Sequence, residues 1–241
     1  MRAQSLLLCV PAHGRALVAG SALTTGVAFL VALQALPVSG LPDPMSAPLS
    51  AYAFAPDGWL FDVSVLTLAF GLAVLVSALV RGRCIAGRSA ASRLLRVCSL
   101  GLVAVVIFPE HDASGAVRTA GCIHWAAAML TFGGLSIVPA LLGRHGVSSA
   151  CSRLTSLARR MCAGTGPCFV LVASADLLQY QSPVPVPAWW FGVGERVLVA
   201  LELAVAAVLT AWAWRGCACE TATNQQRWSR ATVAPRPSDS G

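Results

Sequence analysis

Six apolar blocks divide this chain of 241 residues: Ala16–Val38, Trp59–Val80, Leu94–Phe108, Thr119–Gly143, Met161–Tyr180 and Trp190–Trp214. Five of them reach the roughly 20 residues that an α-helix needs to cross a hydrocarbon core of about 30 Å. The third is short, and a start near Ala90 lengthens it, with Arg93 and Arg96 reaching the head groups along their aliphatic stems. Only 11% of the residues are charged, where a soluble domain carries about 25%. In water such a chain would expose far more apolar surface than soluble monomers do. Blocks of this length also exclude collagen-like, coiled-coil and disordered classes. The expected fold is all-α: a six-transmembrane-helix bundle in a lipid bilayer.

Charge sets the expected orientation. All 17 basic residues are arginine, which reads as the composition of a GC-rich, bacterial genome. Fifteen of the 17 precede the first block or follow the second, fourth and sixth, leaving Arg118 on the other side and Arg196 inside a helix. The positive-inside rule then puts both termini in the cytoplasm of a multi-pass cell-membrane protein. The expected organisation is a cytoplasmic N-terminus at 1–15, a transmembrane domain at 16–214 and a disordered cytoplasmic tail at 215–241. The apolar run after Arg15 is too long for an ordinary signal-peptide core, so the first helix is expected to be retained. The arginines are not gathered on one module with interleaved aromatics, so nucleic acid is not an expected partner.

The nine cysteines include the C-x-C pair Cys217 and Cys219, which has no nearby histidine and makes a poor zinc site. No other metal spacing, serine nucleophile elbow, phosphate loop or dinucleotide fingerprint occurs, so no metal or cofactor is expected. Ser148–Arg160 is amphipathic, fitting an interfacial helix or an ordinary connector.

An ionised side chain at mid-bilayer costs about 2.5–3.5 kcal/mol on insertion scales, so intramembrane acids require a reason. Asp62 lies near the start of the second helix, Asp112 just past the third and His124 near the start of the fourth. Asp176 lies close to the end of the fifth, and Glu195 with Arg196 near the start of the sixth. At 1.5 Å per residue all fall within roughly 10 Å of the outer interface. Two layouts satisfy that depth: a shared polar pocket facing the bundle interior, or separate side chains reaching the interface. Glu202, seven residues after Glu195, falls on the same helical stripe about two turns deeper, which favours the pocket. Trp59 and Tyr180 sit at the same level, as interfacial aromatics do.

Several segments carry a family resemblance. Pro48–Phe61 (PLSAYAFAPDGWLF) resembles the outer-loop signature of the membrane family called domain of unknown function 998. Phe108-Pro109-Glu110-His111-Asp112 is similar to that family's F-P-x-D element, with one extra residue. Gly121 with His124 resembles its G-x-x-H helix start, and Gly192 and Gly194 through Glu195-Arg196 resemble its G-x-x-E-R. The resemblance runs from about Ala16 to Trp214 and implies a six-helix bundle with the motifs gathered on one side. It implies no general activity.

Three functions fit these residues. The first is binding of a lipid or other hydrophobic small molecule in an outward-facing polar pocket, with Arg196, Glu202, Trp59 and Tyr180 as binding residues. The second is intramembrane acid/base catalysis on a lipid or isoprenoid, such as cyclisation or hydrolysis. There Asp62, Asp112, Asp176 or Glu195 would act as proton donor and His124 as base. The third is proton-coupled transport along Glu195 and Glu202.

Overall fold

The computed structural model describes residues 3–35, 43, 45–109, 118–142, 152–181 and 187–233. Six α-helices follow one another: α1 (Ala3–Ala35), α2 (Gly58–Arg81), α3 (Ala90–Ile107), α4 (Arg118–Leu142), α5 (Ser152–Gln181) and α6 (Ala188–Val233). A 3-10 helix, Leu49–Phe54, lies between α1 and α2, and the described residues contain no strand. All six α-helices are long and apolar enough to cross a membrane. The protein is therefore a polytopic membrane protein.

Helix α3 starts at Ala90 because Ser89 is its N-cap, the Ser89 hydroxyl accepting from the Ser92 amide at 3.2 Å. Three boundaries differ from the sequence expectation. Helix α1 begins at Ala3 rather than Ala16, because the leucines and alanines of that segment sustain a helix as well as the span does. Helix α5 begins at Ser152, so the amphipathic segment continues directly into the span instead of lying apart. Helix α6 runs on to Val233, where a disordered tail was expected after the sixth block. Between Cys217 and Val233 there is no glycine or proline to stop it.

Successive helices pack as neighbours and α6 returns to α1, closing the bundle. Between apolar helices in a bilayer, association depends on close packing and interhelical hydrogen bonds rather than on hydrophobicity. Both appear at the α1–α2 contact. A Cβ on Gly71 would sit 2.9 Å from Leu23 Cγ, and one on Gly26 would sit 2.7 Å from Leu68 Cγ, so each glycine admits the opposite leucine. At the end remote from the 3-10 helix, Arg15 donates to Ser77 Oγ at 2.9 Å. Ser99 of α3 donates to the Ala69 carbonyl of α2 at 2.8 Å. Gly101 and Gly134 accommodate Thr131 and Cys98 across the α3–α4 contact.

Candidate functional site

The 3-10 helix gives the site its lid. Pro48, in extended conformation at φ −65°, precedes it, and Tyr52 turns inward until it is 1% exposed. Beneath lies the start of α6, where Gly192 leaves room for the loop backbone. A Cβ there would fall 2.4 Å from the Met45 carbonyl carbon and oxygen, an overlap only backbone movement would relieve. Gly58 likewise faces the Ala53 carbonyl, at 2.2 Å from a built Cβ.

Two adjacent residues of α6 hold this segment. Glu195 Oε2 accepts from the Leu49 amide at 2.7 Å. Arg196 donates from Nε to Gln34 Oε1 at 2.6 Å and from Nη1 to the Ala47 and Gly192 carbonyls at 2.9 and 2.7 Å. Its Nη2 reaches Tyr52 Oη at 3.5 Å, with the guanidinium carbon 5.8 Å from the centre of the Tyr52 ring. One cation thus ties α1, the loop and α6 together through a rigid fork of donors. Just upstream, Asp43 accepts from the Met45 amide at 3.1 Å and the Ser46 hydroxyl at 2.8 Å. The Met45 amide, the Ser46 hydroxyl and, more weakly, Arg196 hold the Asp43 carboxyl below its ordinary pKa.

Under the lid lies a cavity of about 100 Å³ walled by α1, the 3-10 helix, α2, α3, α4 and α6; α5 contributes nothing to its lining. Most of the wall is apolar, with Leu23, Phe61, Leu68 and Leu135 among its members. The polar side chains on it are Ser50, His124, Thr131, Glu195 and Glu202. Glu202 is 4% exposed and accepts from Ser136 Oγ at 3.4 Å. His124 is also buried, and its Nδ1 lies 3.1 and 2.9 Å from the Val105 and Phe108 carbonyls. Two carbonyls at one ring nitrogen require a proton on Nδ1, so the neutral ring is an acceptor at Nε2. These carbonyls belong to the last turn and C-cap of α3, so His124 satisfies groups that every helix end leaves open.

Of the residues singled out from sequence, His124, Glu195 and Glu202 line the cavity. Arg196 lies beside it, directed at the lid. Asp62 is half-buried off the lining and has no polar partner among the described residues. Asp176 accepts from Trp125 Nε1 at 2.8 Å on the α4–α5 side, outside the cavity. Trp59 is 59% exposed at the lid end of α2. Asp112 and the side chain of Tyr180 lie outside the described residues. No group of three or more metal-ligating side chains exists among the described residues. Gln34, Tyr52 and Ser136 also belong to this end of the bundle or its cavity, although nothing in their own sequence positions assigns them a role. Their signal is the proximity of Arg196 or Glu202, which appears only after the helices are packed.

The elements that build this end, residues 48–61, 121–124 and 192–196, fall within a family-model match over residues 18–213, described as Protein of unknown function (DUF998). The chain belongs to that family. No curated protein and no solved structure matches it. In this DUF998 member the order of these short segments has a spatial meaning. The PLSAYAF segment is the lid, Gly192 is its seat, Arg196 its clamp, and Glu195 the group shared between lid and cavity.

Proposed function

We propose that this protein binds a hydrophobic small molecule, or the compact apolar part of a lipid, in the cavity beneath the 3-10 helix. The observation that carries this reading is the lining: an apolar chamber inside the bundle with polar groups at two levels, Ser50 and Glu195 under the lid and Glu202 deeper. Binding sites combine an apolar wall with a few convergent polar groups in this way. Volume limits the ligand. An apolar cavity of roughly 150 Å³ takes one benzene, so a chamber of about 100 Å³ holds less than a ring and accepts a short branched segment of about four heavy atoms without helix movement. The arginine distribution supports a cell-membrane orientation with both termini cytoplasmic and the lid facing outward.

Intramembrane acid/base catalysis is the second reading, favoured by His124 and Glu195 lining one chamber. It loses support from Asp62 and Asp176, which lie off that lining, and from the use of His124 Nδ1 to close α3.

The test is native purification of the full chain followed by mass spectrometry of what accompanies it, beside an Ala206→Leu variant. Ala206 lines the chamber and is buried, so the larger side chain fills it. A species retained by the wild type and lost from the variant is the expected result. Identical extracts from both would refute the reading.

A further inference from the structure

The cavity's polar lining is one-sided. Two carboxyl groups, Glu195 and Glu202, share it with Ser50, Thr131 and His124, and among the described residues no arginine lines it. Arg196, the nearest cation along the helix, spends its guanidinium on Gln34, Ala47, Gly192 and Tyr52. Glu202 is 96% buried by the complement of its 4% exposure. Its one polar partner among the described residues is the Ser136 hydroxyl, at the long distance of 3.4 Å. A carboxylate in an apolar chamber is stable only beside a compensating charge; otherwise it holds a proton.

We infer that the ligand of this chamber is a hydrophobic cation, an ammonium group on a compact apolar body, seated against Glu202 with Glu195 nearer the lid. The inference rests on the binding reading above and adds to it the sign of the ligand's charge. An anionic head group would meet two acids and, among the described lining residues, no arginine. An ammonium supplies Glu202 with the positive charge that the described residues do not, through a charge-assisted hydrogen bond. Cation and proton then occupy the same carboxyl in turn, so binding the cation releases a proton whenever Glu202 starts protonated.

The other titratable groups around Glu202 are His124 from α4, Glu195 on α6 itself, and the thiols of Cys98 on α3 and Cys168 on α5, within Coulombic reach of its carboxyl. Cavity-lining residues of α1, α2 and the 3-10 helix add no titratable group. With His124 held by α3 carbonyls, Glu202 is the group placed to exchange a proton for the cation.

The experiment compares isopropylammonium with propan-2-ol, which share a branched body of one size but differ in charge. Binding to the full chain in phosphatidylcholine nanodiscs is measured by equilibrium dialysis, with empty nanodiscs subtracted. The expected result is that the ammonium binds about tenfold tighter or better than the alcohol. Glu202→Gln lowers ammonium affinity on the order of tenfold and leaves the alcohol within about twofold. If the variant does not fold, the wild-type ratio decides alone. Equal binding of the two compounds overturns the cation inference and leaves the hydrophobic-ligand reading standing. Binding of neither compound overturns both.

Discussion

Helices α2 and α5 are both long apolar spans, yet the bundle uses them differently. In its most apolar stretch α2 is 56% buried and α5 11%. Helix α2 meets α1 through glycines that leave no room for a Cβ, whereas Gly164 and Gly166 of α5 face open space. Val170, Leu171 and Leu178 of α5 are exposed on the bundle, an exposure that would be anomalous in water and is ordinary against acyl chains. In a bilayer, hydrophobicity marks which segments cross; contact at small residues and buried polar bonds marks which segments pack. The cavity follows the second division, being walled by every span except α5.

That contrast is open to direct attack. Gly192→Ala is expected to have the largest effect, because its methyl group collides with the Met45 backbone. Overpacking of this kind costs about 1–3 kcal/mol and sometimes more, read as a fall in the thermal unfolding midpoint of the purified protein. Gly164→Ala and Gly166→Ala on α5 should leave that midpoint unchanged or slightly raised. A matching loss there would show that the two sides pack alike. Arg196→Met comes next, since it removes a clamp with four acceptors. A loss of about 1.5–3 kcal/mol is expected, together with faster proteolysis confined to residues 43–57. Trp125→Phe deletes the indole donor to Asp176 on the loosely packed side, and at that exposed position about 1 kcal/mol or less is at stake.

The smallest effect is a pH response at the edge of the lid. Asp43 has its carboxyl pKa lowered in the folded protein by the Met45 amide, the Ser46 hydroxyl and Arg196. A lowered folded value means that its contribution is complete above the unfolded pKa of 3.8 and is lost as pH falls through the folded value. Amide exchange at Met45 and Ser46 should therefore accelerate upon acidification below that range relative to the intrinsic rate, and Asp43→Asn should abolish the dependence.

Much of the architecture was legible because crossing a bilayer demands length and apolarity together. The start near Ala90, which follows from the length a span requires, is where α3 begins. The Glu195–Glu202 stripe was legible for the same geometrical reason: seven residues make nearly two whole turns, and both side chains line the chamber. What composition and spacing supply for a membrane helix is depth; azimuth comes only from packing. Asp62 and Phe61 differ in depth by one residue, yet Phe61 lines the cavity and Asp62 does not. Glu195 and Arg196 diverge similarly, about 100° apart on the helix. The 3-10 helix was hidden for another reason. Its residues LSAYAF are too few for a period to show, and it is held by partners 144 to 149 positions away.

Gly192, Glu195, Arg196 and Glu202 all belong to one rigid rod. Three grip the cap, and the fourth closes the chamber's far reach. A turn of α6 about its axis would therefore carry the cap and the deep carboxyl together, because both ends of the chamber hang from one support.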